Sequence, residues 1–180
     1  MAEPTLDDTM PDNERFVWAV QAQMEAESVE VPYFVLRKLA KVLRESGFSV
    51  KVVGSRREDR LTVYDVLPAC DETPLCAMAV DIGTTTVAAV LVDLKSGRLL
   101  AKASTGNGQI RYGADVINRI VEQGKAGGVK KLQDAIVKDT LRPLIASLCA
   151  SAKIQTTQIL RVCVASNTTM NHLLLGVDAE

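Results

Sequence analysis

Neither sign of charge is in excess in this chain: 21 basic side chains face 22 acidic ones, for a net charge of −1. A surface that tracks phosphate backbones needs a clear basic surplus, so nucleic acid is not an expected partner. Glycine and proline are scarce, at 11 and 6 residues, and no long block of like charge occurs, which excludes collagen-like and wholly disordered readings. There are four cysteines, Cys70, Cys76, Cys149 and Cys163, and none forms a C-x-x-C pair. They are too few and too scattered for the disulfide framework of a small secreted domain, so a cytoplasmic location with reduced thiols is expected. The longest apolar runs, Leu75 to Val80 and Val87 to Val92, fall far short of the roughly 20 residues that span a bilayer, and no membrane segment is expected. Met1 to Asp12 carries four acids and no base, unlike a secretory signal. Without that context the glycosylation triplet Asn167-Thr168-Thr169 has no force. His172, the single histidine, has no second histidine or paired cysteine at ligand spacing and reads as a helix-surface or packed residue.

What is present is an ordinary 47% of hydrophobic residues in 180, enough for one large domain or two small ones. After a polar, irregular start, Phe16, Val17, Val20 and Met24 recur at helical spacing behind caps at Asp12 or Asn13. A second helix is signalled by Pro32, the stripe Leu36, Leu39, Ala40 and Leu43, and a left-handed stop at Gly47. Its other face carries Arg37, Lys38, Lys41 and Arg44, which read as a solvated helix face. Strands follow at Ser49 to Val53 and Leu61 to Val66, with a charged turn from Gly54 to Arg60. Pro68, Asp71, Glu72 and Pro74 have the composition of a connection, which places a boundary near Thr73.

Beyond it come three apolar, β-branched runs, Cys76 to Ile82, Thr86 to Leu94 and Leu99 to Ser104, separated by Gly83-Thr84-Thr85 and Lys95-Ser96-Gly97. This spacing predicts an antiparallel meander. Val116, Ile117, Ile120 and Val121 lie on one face of a predicted helix that ends before Gly124. Val129 to Leu148 predicts a longer helix, kinked or divided by Pro143. A strand at Ile159 to Ala165 and a last helix capped by Ser166 or Asn167 complete the order β-β-β-α-α-β-α.

The chemistry concentrates in Asp81-Ile82-Gly83-Thr84-Thr85-Thr86, an acid, a glycine and three hydroxyls on the turn between two strands. Gly83 lets backbone approach closely, successive N–H groups and hydroxyls can surround phosphate oxygens, and Asp81 can hold water on Mg²⁺. The same residues would also serve a plain hairpin. The Walker and dinucleotide glycine patterns are absent, since Gly106, Gly108 and Gly113 do not fit G-x-G-x-x-G. Asp115 is explained as a helix cap, and the cysteines as small apolar fillers.

A strand-turn-strand loop of this kind, followed by a third strand, helices and a fourth strand, resembles the first lobe of the acetate and sugar kinase, chaperone and actin superfamily. Its D-x-G-T-T loop matches Asp81, Gly83, Thr84 and Thr85. Three blocks narrow the resemblance: Ala79 to Ala88, Tyr112 to Ile120, and Asn167-Thr168-Thr169-Met170 with His172 to Gly176. Together with the N-terminal part, they look like the reductive activators of corrinoid proteins. The resemblance implies an α/β fold, a small α+β domain followed by a ribonuclease H-like, actin-type subdomain. It implies a linker at 1–14, a small middle domain at 15–73 and a first ATPase subdomain, cut short, at 74–180. It implies ATP and Mg²⁺ at Asp81, Gly83, Thr84, Thr85 and Thr86, with Asp115, Asn167 and Thr168 supporting the loop or meeting a partner.

The partner implied is a corrinoid protein, returned from Co(II) to Co(I) with electrons from a [2Fe-2S] domain. The cysteine spacing offers no place for that cluster in this chain. The chain therefore reads as a fragment that lacks the cluster domain and the second lobe and is inactive by itself; a homodimer is left open. Two departures from the family are Ser166 in place of a glycine and Gly108 in place of a proline. The rival readings are a sugar- or acetate-kinase-like phosphotransferase, for which no catalytic base can be assigned, and a non-catalytic interaction module.

Overall fold

The computed structural model describes residues 1–179, which divide into two units, Met1–Glu72 and Thr73–Glu180. In the first, α1 (Asp12–Met24), β1 (Ser28–Glu30), α2 (Tyr33–Glu45), β2 (Val50–Arg57) and β3 (Arg60–Pro68) form a three-stranded sheet of order β1-β3-β2 covered by two helices. Helix α2 follows Pro32 and stops where Gly47 takes a φ of +56°. It buries Val35, Leu39 and Leu43 against Phe16 and Val20 of α1 and Leu61, Val63 and Val66 of β3. The basic residues of its outer face are largely used within the unit: Lys38 pairs with Asp65, Arg44 with Asp12 at 2.6 Å and Lys41 with Glu45 at 3.7 Å.

Four details differ from expectation. The buried stripe of α2 runs through Val35, not Leu36, and Ala40 is exposed. Helix α1 is preceded by Pro11 and no side chain caps it, Asp12 and Asn13 lying inside its first turn. The charged segment 54–60 is not a loop, because β2 and β3 stay paired from Val50↔Pro68 to Arg57↔Arg60 through an irregularity at Val53/Gly54. Only Glu58 and Asp59 turn. Strand β1, parallel to β3 from Ser28↔Arg60 to Glu30↔Thr62, has three residues and shows no alternation a sequence could reveal.

The second unit is built on β4 (Cys76–Ile82), β5 (Thr86–Asp93), β6 (Leu99–Gly106) and β7 (Ile159–Ser166) in the order β6-β5-β4-β7. The first three form an antiparallel meander, and β7 joins β4 in parallel from Ala77↔Arg161 to Ile82↔Ser166. Helices α3 (Val116–Gln123), α4 (Gly128–Ile136), α5 (Arg142–Ala152) and α6 (Thr168–Leu175) complete it. Strand alternation sends Cys76, Met78, Val80 and Ile82 into a core with Val87, Ala89, Leu91, Leu132, Ile136, Leu148 and Leu173. Ala77, Ala79 and Asp81 take the opposite face.

The long helical pattern is divided, as Pro143 demands, but the break lies upstream. A π-helical stretch, Val137–Leu141, separates α4 from α5 and leaves Pro143 in the first turn of α5, where its missing N–H costs little. Thr140 supports the stretch by donating its hydroxyl to the Ala135 carbonyl at 2.8 Å and accepting from the Gly108 N–H at 2.9 Å. A Cβ on Gly108 would lie 2.8 Å from that hydroxyl and 2.9 Å from the carbonyl, so only glycine fits.

Helix α3 requires a correction. Val116, Ile117, Ile120 and Val121 do lie on one helix, but that face is not its buried one: Ile117 is 69% and Val121 61% exposed, while Arg119, Glu122 and Gln123 are buried. The reason is that α3 packs beside the turn between β4 and β5, which Arg119 reaches from this helix. No helix of the described residues is long and apolar enough to cross a membrane.

Candidate functional site

The turn between β4 and β5 is closed by the Gly83 N–H donating to the Thr86 carbonyl at 2.9 Å. A Cβ on Gly83 would sit 2.7 Å from that same oxygen, so a side chain there would force the turn open. The remaining carbonyls of the turn are each held by a donor from elsewhere in the unit. Asn107, at the end of β6 and 2% exposed, donates its Nδ2 to the Gly83 carbonyl at 2.9 Å and its backbone N–H to that of Thr85 at 2.8 Å. Arg119, fully buried on α3, donates Nη2 to the Thr84 carbonyl at 2.5 Å.

Every peptide here is trans, and in a trans peptide the carbonyl and the following N–H point in opposite directions. Tying the carbonyls of Gly83 and Thr84 to these donors therefore turns the N–H groups of Thr84 and Thr85 away from them, whereas the Thr86 N–H faces Gly83 across the hairpin. Successive outward N–H groups form an anion-binding concavity.

The donors are themselves anchored. Asn107 caps the short 3₁₀ turn Gly108–Arg111 by accepting from the Gln109 N–H at 3.0 Å. Arg119 also donates Nε to the Gly113 carbonyl at 2.9 Å, and Nη1 to Gln109 Oε1 at 3.3 Å and to Met170 Sδ at 3.1 Å. Gln109 passes on to the Leu132 carbonyl at 3.0 Å. Burial lowers the pKa of Arg119 below the usual arginine value, with Asp115 partly offsetting the effect. Helix α3 turns polar residues inward because each has a partner there: Arg119 holds the turn, Glu122 takes Lys125 and Lys131, and Gln123 bonds the chain at Asp178 and Ala179; Ile117 and Val121 are left in solvent.

Asp81 stands at the mouth of the turn on the sheet face opposite the core, with Ala88 and Ala165 beside it in register on β5 and β7. It makes no hydrogen bond or ion pair among the described residues and is exposed, so its carboxylate is available above a floor of alanines. Thr85 and Thr86 are also exposed. Asn167 reaches the turn, donating Nδ2 to Thr84 Oγ1 at 3.4 Å while capping α6 through Oδ1 and the Met170 N–H at 2.9 Å. Asp115 is the cap of α3, accepting from the Asn118 N–H at 2.8 Å, and it bears on the turn only through Arg119. Thr168 opens α6 and gives its carbonyl to His172 Nδ1 at 2.8 Å, a bond within the helix and not to the turn. A cleft of about 460 Å³ opens beside Asn107, lined also by Thr105, Gly106, Arg111 and Asp139.

One carboxylate with room for water and phosphate oxygens suits Mg²⁺, which keeps most of its waters and takes one or two protein carboxylates. The cysteines do not suit an iron–sulfur cluster. Cys76 and Cys149 are buried, with thiol pKa values raised by burial, Cys70 and Cys163 are exposed, and no group of three or more His, Cys, Asp or Glu among the described residues is placed to hold a metal ion.

Residues 1–73 match the family model of the RACo linker region and residues 76–180 that of the RACo middle region, so the chain belongs to the RACo family. It is similar to the corrinoid activation enzyme RamQ of Eubacterium limosum, with 36% identity over 160 residues that make up 86% of this chain and 26% of that enzyme. A solved structure described as a reductive activator for corrinoid, iron-sulfur protein matches with a TM-score of 0.83 and 35% identity, over 98% of this chain and 28% of that one. The chain thus spans roughly a quarter of the length of the relatives it matches.

Proposed function

We propose that this chain is the linker and middle region of an ATP-dependent reductive activator, and that its turn 83–86 takes the phosphates of a magnesium nucleotide. The reaction served is the one-electron return of a Co(II) corrinoid, carried by a partner protein in the cytoplasm, to Co(I). The electron has its source outside these residues, in a ferredoxin-linked domain, because no cysteine grouping here suits a cluster. The observation that supports the nucleotide reading is the capture of the Gly83 and Thr84 carbonyls by Asn107 and Arg119, which leaves the Thr84 and Thr85 N–H groups facing away from those donors before any ligand arrives.

In this reading the Thr84 and Thr85 amides and the Thr85 and Thr86 hydroxyls bind phosphate oxygens, and Asp81 orients water on Mg²⁺. The ion would supply charge neutralisation of the phosphates. Binding then acts by closing an actin-type first lobe on a second lobe, which alters affinity for the corrinoid partner and transfers no phosphate to a small molecule. Family membership and the similarity to RamQ and to the solved reductive activator support the reading.

The test is Asp81→Ala in this chain joined to a cluster domain and a second lobe, followed by calorimetry of Mg-ATP and a phosphate-release assay. Loss of the one charged group at the turn is expected to weaken binding or turnover by at least about tenfold. Unchanged binding and turnover would reduce Asp81 to a hairpin residue and remove the nucleotide reading.

A further inference from the structure

Arg119 is the largest fully buried side chain of the described residues, and every acceptor it has is neutral: the carbonyls of Thr84 and Gly113, Gln109 Oε1 and Met170 Sδ. No ion pair of the described residues includes it. Elsewhere in the unit, charge is handled differently: buried Glu122 is matched by Lys125 at 2.6 Å and Lys131 at 2.7 Å. The nearest acid to Arg119 in sequence is Asp115, whose two oxygens accept from the backbone and side chain of Asn118 at 2.8 Å each at the exposed start of α3.

A buried charge that meets only neutral hydrogen-bond acceptors is costly, and Asp115 at the exposed start of α3 offsets that cost only in part. Here the guanidinium lies directly behind the peptide whose outward end is the Thr85 N–H. Donation from Nη2 to the Thr84 carbonyl polarises that peptide, and a polarised peptide presents a stronger donor at its other end. The positive charge is also within reach of an anion on the turn through low-dielectric protein, where screening by water is small.

We infer that Arg119 is a positioning residue and the buried counter-charge for a phosphate bound at turn 83–86, acting through the Thr84–Thr85 peptide. This rests on the reading of the turn as a phosphate site and adds the source of its charge. A neutral ligand of the same shape gains nothing from this arrangement, so the site selects anions even though the N–H groups of the turn are uncharged.

The test uses the ¹⁵N-labelled 180-residue chain, titrated with inorganic tripolyphosphate and Mg²⁺ at low ionic strength, with the amides of Thr84, Thr85 and Thr86 as reporters. Arg119→Met removes the charge at similar bulk, and Arg119→Lys keeps the charge while losing the planar fork. Folding of each variant is checked by circular dichroism and melting. The expected result is a loss of affinity of about tenfold or more in Arg119→Met, a loss of about threefold or less in Arg119→Lys, and a shallower salt dependence in Arg119→Met.

Equal affinity in wild type and folded Arg119→Met would overturn the inference about Arg119 and leave the phosphate site standing. An absence of shifts at Thr84–Thr86 in the wild type would overturn the phosphate reading itself, and the role of Arg119 with it. If Arg119→Met does not fold, Arg119→Lys is compared with Arg119→Gln. Equal losses in those two would show that the fork matters only as structure and would overturn the charge role, whereas retention in Arg119→Lys alone would support it.

Discussion

Helices α2 and α3 each carry apolar residues on one side, but α2 buries its stripe whereas α3 packs Val116 against the core and leaves Ile117 and Val121 in solvent. In α2 the stripe through Val35, Leu39 and Leu43 is buried and the basic side is outside, where it finds carboxylates near the surface. In α3 the buried side is Arg119, Glu122 and Gln123, and Ile117 and Val121 face solvent. The two helices bury different things because they hold different things. Helix α2 closes a hydrophobic core, where apolar area removed from water is the main gain. Helix α3 braces a turn made of backbone carbonyls, and only polar side chains can do that. A helix beside a loop can therefore be amphipathic in the reversed sense, with the apolar side left for another contact.

The largest expected effect that would break this contrast is in α2. Leu43→Ala is expected to cost about 3 kcal/mol of stability, within the range for a buried leucine that leaves a cavity. Denaturant unfolding measures the loss, and amide exchange locates it in residues 1–72; a loss under about 1 kcal/mol would show that α2 does not depend on its stripe.

A smaller effect is expected at Glu122. Hydrogen bonds from Lys125 and then Lys131 bring its pKa from 4.5 down to about 2. A carboxylate depressed in the folded state adds stability that is complete above its unfolded pKa and is lost as pH falls through the folded value. Wild type is therefore expected to lose this contribution between about pH 4.5 and about pH 2, and Glu122→Gln to melt with a flatter acid limb over that window. Parallel melting curves against pH for the two proteins would contradict it. The smallest effect is at the outer face of α3: Ile117→Ser is expected to change stability by no more than about 0.5 kcal/mol, because the side chain is already in water. A loss like that of Leu43 in the same unfolding assay would mean that α3 is packed the other way round.

These two helices also mark how far the amino-acid sequence can be read. The meander and the Asp81–Thr86 turn were legible because apolar runs of strand length bracket a glycine and three threonines. The cap at Asn167 and the stop at Gly47 were legible because both act on their own helix. Asn107, Gln109 and Arg119 were not singled out, although they hold the site. Asn107 works from 24 residues away and Arg119 from 35. A buried arginine on a helix looks, in sequence, like any surface arginine. The signal available was an arginine where the apolar face should continue, between Val116 and Ile120, inside a block already noted for its resemblance to the corrinoid activators. Strand β1 was illegible for lack of length, and the π-helical stretch because the hydroxyl that supports it, Thr140, is bonded across the unit to Gly108.

That last bond has an evolutionary consequence. Position 108 carries glycine where the resemblance leads one to expect proline. A proline there has no N–H to give Thr140, and its ring would enter the space already closed by the Thr140 hydroxyl and the Ala135 carbonyl. Neither residue can then change first without loss: proline alone collides, and replacement of Thr140 alone strips the Gly108 N–H of its acceptor. The two positions, 32 residues apart, are therefore expected to vary together, with relatives that carry the proline having something other than threonine opposite it.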